Sequence, residues 1–249
     1  REKADALYRV RGGQISMIFQ EPMTALSPVH TIGNQICEAI LLHQDVTKDQ
    51  AESQAVEMLR KVGIPGAAER LGQYPHQMSG GMRQRVVIAM ALACRPELLI
   101  ADEPTTALDV TTQAQILRLI RDLQSQLHTS VLLITHDLGV VAQLADDVTV
   151  MYLGRAVEQA DVRTLIKHPR HPYTMGLLAA IPGLRHHGER LPSIPGSVPS
   201  VAQRPPGCPF HPRCRYAEPG RCDVGAPPPL ERVGEGHFVA CVRAEEIAP

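Results

Sequence analysis

The spacing of apolar positions changes several times along the chain, and each change marks an element. Gln14 to Phe19 reads as a short strand ending at Gln20-Glu21-Pro22. From Thr31 to about Gly72 the period becomes helical, with Ile32, Ile36, Ile40 and Leu41 on one face. Thr47 and Gln50 have capping-box spacing, so a second helix starts there and runs to Val62, stopping at Gly63 and Pro65. Another helix starts near Ser79 and ends before Pro96.

After Pro96 strands and helices alternate. Leu98 to Ala101 is a continuous apolar run, the pattern of a parallel strand covered on both faces. A helix over about Thr111–Leu127 carries Ile116, Leu119, Ile120, Leu123 and Leu127 at core spacing. Val131–Ile134 follows as a strand and Asp137–Ala145 as a helix. Val148–Leu153 and Arg155–Glu158, joined at Gly154, form a terminal hairpin. The alternation predicts an α/β sandwich with a helical insertion. From His168 prolines recur as far as Pro229, and that texture supports neither long helices nor a central sheet. An extended appendage is expected there, held by something other than a large core.

Composition narrows the class. A chain of 249 residues suffices for one large α/β domain with an appendage. A net charge of −1 gives no electrostatic reason to expect nucleic acid or an anionic membrane. No apolar run approaches the roughly 18–20 residues of a membrane-spanning helix, so membrane association is expected through a protein partner. Nothing near Arg1 resembles a signal peptide, and the absence of a Met start suggests a clipped cytosolic chain. Of six cysteines, Cys37 and Cys94 stand alone, while Cys208, Cys214, Cys222 and Cys241 share the tail. In a cytosolic protein such a cluster points to metal before disulfide.

Two segments carry candidate chemistry. Leu98-Leu99-Ile100-Ala101 delivers Asp102 and Glu103 at the end of an apolar strand. In nucleotide hydrolases the first such acid holds Mg²⁺ and the second faces the attacking water. Alone, the pair reads equally well as a solvated turn after a buried strand. Met78-Ser79-Gly80-Gly81-Met82-Arg83-Gln84-Arg85 opens the apolar helix Val86–Cys94. Backbone N–H groups at the positive end of a helix dipole make a phosphate site, although a plain serine cap is the ordinary explanation of one such start.

The order of the motifs decides between these readings. Ser79-Gly80-Gly81 is followed by Asp102-Glu103-Pro104-Thr105, then by Ala107-Leu108-Asp109, and one strand later by Thr135-His136-Asp137, with Gln20 upstream. The chain thus resembles the ATP-binding cassette (ABC) family over about residues 14–160. The resemblance implies a P-loop NTPase-like (RecA-like) α/β core over residues 1–165, with a helical subdomain at about 25–90. It implies Asp102, with Gln20, as the Mg²⁺ ligands. Glu103 becomes the general base, Gln20 the γ-phosphate sensor and His136 the switch residue. Ser79, Gly80, Gly81 and Gln84 would act in trans on ATP held by a second ABC ATPase, with Asp109 at that interface. The sequence holds no Gly-x-x-x-x-Gly-Lys-Ser/Thr, and none of Lys3, Lys48, Lys61 or Lys167 lies in such a pattern. These residues by themselves are therefore expected to bind ATP poorly and hydrolyse little.

Ile18-Phe19-Gln20-Glu21-Pro22-Met23-Thr24-Ala25-Leu26-Ser27-Pro28 and His168-Pro169-Arg170-His171-Pro172-Tyr173-Thr174 resemble the dipeptide and oligopeptide importer branch of that family. The branch implies two membrane permeases, an external substrate-binding protein, and a peripheral place on the cytoplasmic face. Nickel importers share the architecture and remain an alternative. So do a non-transport ABC ATPase and a metal-binding regulatory fragment. A metal site built from His168 and His171 is not expected. The appendage, residues 166–249, carries Cys208-x5-Cys214-x7-Cys222-x18-Cys241. Four thiolates can hold a [4Fe–4S] cluster or zinc, and the branch resemblance implies the cluster.

Overall fold

Three parallel strands organise the first part of the chain in the computed structural model, which describes residues 7–21, 25–106, 108–181 and 192–247. Pro22, Met23, Thr24 and Ala107, quoted among the motifs above, lie outside the described residues. The strands are β1 (Ile15–Ile18), β2 (Leu98–Asp102) and β3 (Ser130–Ile134), with β2 in the centre. Ile18 pairs with Ala101, and Asp102 with Ile134, so all three strands end at the same edge. That edge sets the site.

Helices separate β1 from β2. α1 (Ile32–His43) is capped by Thr31, whose hydroxyl accepts from Asn34 N–H. α2 (Lys48–Lys61) starts with the expected capping box, Thr47 and Gln50 bonding reciprocally. A short α3 (Ala67–Arg70) leads to α4 (Gly80–Leu92), capped by Ser79. Ile32, Ile36, Ile40, Leu59 and Ile88 are fully buried together, which makes this region one apolar core. Arg85 stitches it further, donating to the carbonyl of Val62 at 2.7 Å. α5 (Val110–Leu127) crosses from β2 to β3 and lays Ile116, Ile120 and Leu123 into that core.

Sheet coverage departs from expectation. Leu99 and Ala101 are buried, but Leu132 and Ile134 on β3 are half exposed, at 50% and 46%. Within the described residues the apolar strands are covered mainly on one face.

The chain divides into two units, Arg1–His136 and Asp137–Pro249. The anticipated boundary after residue 165 falls inside the second. α6 (Leu138–Leu144) is followed by a hairpin of β4 (Asp147–Tyr152) and β5 (Arg155–Asp161), then α7 (Val162–Lys167) and α8 (Pro172–Ala179). The tail returns with β6 (Glu231–Gly234) and β7 (His237–Val239), giving the sheet order β4-β5-β7-β6. The hairpin is therefore not terminal. Pairing of Glu158 and Gln159 with Val239 and Phe238 draws it into the tail. Proline excludes long elements, but two short strands and one eight-residue helix fit between prolines, with Pro172 at a first-turn position of its helix.

A small core does form here, around Val150, Tyr152, Val157, Leu165 and Phe210. Phe210 meets Tyr152 edge-on at 5.3 Å and Tyr173 at 5.4 Å. Beside it Glu158, fully buried, accepts from Arg170 N–H at 2.7 Å, His171 N–H at 3.0 Å and His237 Nε2 at 2.8 Å. One carboxylate thus joins β5, the start of α8 and β7. Truncating it would orphan three buried donors. We expect Glu158→Ala to destabilise this unit by about 3–5 kcal/mol in urea unfolding; a loss below about 1 kcal/mol would contradict that role.

Candidate functional site

β2 ends in two acids. Asp102 is its last residue, and Glu103 leaves the strand at φ 44°. A non-glycine residue held there costs about 1–3 kcal/mol and persists only where neighbours over-determine it. They do so here. Glu103 N–H donates to Ile134 O at 2.9 Å, carrying the ladder one residue further. Its carboxylate accepts from Gln20 Nε2 at 3.2 Å, Thr106 Oγ1 at 2.9 Å and His136 Nδ1 at 2.9 Å.

Two of these donors, Gln20 and His136, come from segments far from Glu103 in sequence. Gln20 follows β1, Glu103 and Thr106 follow β2, and His136 follows β3. Open α/β sheets place ligands outside the carboxyl ends of parallel strands, and that is where the four side chains gather. Hydrogen bonds from His136 first and Thr106 second hold the Glu103 carboxyl below its ordinary range. The carboxylate accepts, so the proton of this bond sits on His136 Nδ1. The His136 side chain is 80% exposed, which leaves the constellation open to water. Thr106 was missed by the motif reading; its only sequence signal is its place three residues after Glu103.

The signature segment keeps a free helix start. Ser79 Oγ accepts from Met82 N–H at 3.4 Å. A Cβ built on Gly80 meets nothing within 4 Å, whereas one on Gly81 would press Thr112 Cγ2 at 3.2 Å. Gly80 therefore faces open space, while Gly81 packs against Thr112. Gln84 is placed differently: it is 2% exposed and donates to the carbonyl of Pro104. It braces α4 against the turn after Glu103 and does not share the open face. Asp109 caps α5, accepting from Thr111 N–H, Thr112 N–H and Thr112 Oγ1, and the Thr112 hydroxyl is the main cause of its lowered pKa. That cap is sufficient structural reason for an aspartate, although the residue stays exposed.

The four tail cysteines meet. Cys208, Cys214, Cys222 and Cys241 line one small cavity with His171 and Phe210. Cys208 N–H donates to Cys222 O at 2.8 Å, and Gly207, at φ +65°, lets the two strands of chain approach. A Cβ at Gly207 would strike the carbonyl oxygen of Cys222. Burial pushes the thiols of Cys208 and Cys214 up, and that of Cys241 up to about 11. Among the described residues no group of three or more His, Cys, Asp or Glu stands around a single ion. The compact tetrahedron of a zinc site, with Zn–S bonds of about 2.3 Å, is thus not preformed. His168 is exposed and His171 buried, so the two do not form a joint site.

Comparison with known proteins gives a consistent result. Residues 3–106 match the ABC transporter family, and residues 157–222 match the oligopeptide/dipeptide transporter C-terminal region. The chain is 54% identical over 250 residues to a putative peptide import ATP-binding protein of Brucella ovis, covering 98% of this chain and 73% of that protein. It is 52% identical over 238 residues to the oligopeptide transport ATP-binding protein AppD of Bacillus subtilis, covering 96% and 72%. OppD of Escherichia coli is 49% identical over 240 residues, covering 96% and 70%. Among solved structures, the dimeric ATP-binding cassette MJ0796 in a post-hydrolysis state bound to ADP and Pi superposes with a TM-score of 0.56 at 27% identity. That match covers 64% of this chain and 67% of that one. The chain belongs to the ATP-binding proteins of the ABC transporter family, in the branch that carries the oligopeptide/dipeptide transporter C-terminal region.

Proposed function

We propose that this chain energises the import of dipeptides or oligopeptides by hydrolysing MgATP. The observation that carries the reading is the gathering of Gln20, Glu103 and His136 at the carboxyl ends of three parallel strands. Asp102, with Gln20, would hold Mg²⁺, which would neutralise charge on the phosphates. Glu103 takes a proton from the attacking water, a role worth about 10²–10⁴-fold in rate. His136 and Gln20, now on the Glu103 carboxylate, turn to the γ-phosphate when nucleotide enters. The resting pairing keeps Glu103 charged and oriented until then. Relatives named for peptide import favour peptide over nickel.

Ser79, Gly80 and Gly81 close on ATP held by a second ABC ATPase, and Asp109 lies at that interface. Two permeases and an extracytoplasmic substrate-binding protein complete the transporter, with no part for nucleic acid. No helix among the described residues is long and apolar enough to cross a membrane. As the partner of two permeases, the chain would sit peripherally on the cytoplasmic face. It works as an ATPase domain to about residue 165 with an appendage beyond. In the appendage Cys208, Cys214, Cys222 and Cys241 all line one cavity, and four thiols so placed are the donor set a [4Fe–4S] cluster would use. When bound, a [4Fe–4S] cluster supplies a covalent staple to a unit with a small core.

Gly80 separates this function from folding. A methyl there meets no neighbour, so Gly80→Ala should leave stability unchanged or raise it by up to about 1 kcal/mol. In proteoliposomes holding the assembled transporter it should cut ATP-driven uptake of a labelled oligopeptide by about 10²-fold, because the methyl stands where phosphate approaches the backbone. Uptake at the unaltered rate would contradict the role of α4, and absence of peptide uptake in the unsubstituted transporter would contradict the substrate.

A further inference from the structure

The buried side chain of His171 has an N–H with nowhere to go. His171 is 1% exposed and caps α8 through Nδ1, which accepts from Tyr173 N–H at 3.1 Å. With the Nδ1 lone pair engaged, the single proton is on Nε2. Nε2 is buried and has no partner in the protein. A buried donor left in that state costs about 1–3 kcal/mol, and such groups in native proteins call for a partner.

The surroundings suggest the partner. The His171 ring lines the same cavity as the four cysteines and stands 5.9 Å from Phe210, which lines it too. Its backbone N–H is fixed by Glu158, so the residue is held at its backbone and at Nδ1 while Nε2 stays unpartnered. Thr174 Oγ1 is a second buried atom without a partner, but Thr174 is not among the cavity's lining. His211, the other histidine on the cavity, pairs Nδ1 with Cys208 O at 2.9 Å. The carbonyl accepts, so His211 carries a proton on Nδ1 that is already engaged. Of the two rings on this cavity, His171 is the one whose buried Nε2 lacks a partner.

We propose that His171 Nε2–H donates a hydrogen bond to a sulfur of the cluster held by Cys208, Cys214, Cys222 and Cys241. His171 is then a positioning residue that sets the cluster's reduction potential. The inference rests on the four-cysteine cluster proposed above. Reduction adds negative charge to the sulfurs, and a donated hydrogen bond stabilises that charge, so it raises the potential. Its removal should lower it.

Two substitutions divide cap from donor. His171→Asn keeps a good cap acceptor for Tyr173 N–H and removes the distal donor. His171→Gln keeps a donor near the Nε2 position. The experiment is iron and acid-labile sulfide analysis on anaerobically purified protein, followed by redox titration read by absorbance and electron paramagnetic resonance. We expect His171→Asn to load iron and sulfide as the unsubstituted protein does, with its reduction equilibrium constant lowered about tenfold, about 59 mV for one electron. His171→Gln should keep most of the original potential. A cluster present with equal potentials in the unsubstituted and Asn proteins overturns the inference and leaves the cluster standing. Zinc alone, or no metal, in the unsubstituted protein overturns the cluster itself.

A third measurement needs no variant of His171 to fold. In the reduced, unsubstituted protein labelled with ¹⁵N-histidine, pulsed paramagnetic resonance should detect weak coupling to a histidine nitrogen that persists in His211→Asn. No such coupling overturns the inference.

Discussion

The Glu103 carboxylate is the point at which the three strand ends of the first unit converge. It sits at the end of the central strand, in a backbone conformation that a side chain rarely adopts, and three donors converge on it. Thr106 reaches it from the same turn, but Gln20 and His136 could not unless β1, β2 and β3 ran parallel and ended level. The register that pairs Ile18 with Ala101 and Asp102 with Ile134 is therefore a functional constraint as well as a structural one. The helices between β1 and β2 serve the same end. Gln84 ties α4 to Pro104, one residue beyond Glu103, so the signature helix and the acidic turn are fixed to each other through a buried amide.

The second unit solves a different problem. Its proline-rich tail has too little apolar surface for a large core, and long-range polar pairing takes over part of the task. Glu158 gathers donors from residues 170, 171 and 237, and Arg213 reaches the carbonyls of Pro195 and Ile194. Gly207 allows the chain bearing Cys208 to pass against Cys222. The result is a frame that brings four cysteines, spread over more than thirty residues, to one cavity. His171 connects the two layers of this frame, since Glu158 holds its backbone and the cysteine cavity meets its ring.

Much of this was legible in the residue pattern, for physical reasons. Capping at Thr47 and Ser79 depends on side chains adjacent to the helix start, so local sequence predicts it. The convergence of Gln20, Glu103 and His136 was readable because motifs at the ends of parallel strands come together by topology alone. Thr106 and the inward turn of Gln84 were not readable, because only packing decides whether a polar side chain faces a neighbour or solvent. The pairing of β5 with β7 was hidden for the same reason. It joins residues about eighty positions apart, and the tail's prolines mask two short strands. Glu158 and His237 belong to no motif, and only the sheet brings them face to face. The two compact units meet after His136 because the hairpin follows its strand partners in the tail, which composition alone does not reveal.

Substitution of the central carboxylate tests the account most directly. In the assembled transporter supplied with MgATP, Glu103→Gln keeps the shape and loses the proton acceptor. The account predicts that hydrolysis at the site served by this chain falls by about 10²–10⁴-fold. ATP should meanwhile stay bound and be recovered intact from the complex. Hydrolysis at the unsubstituted rate would contradict it.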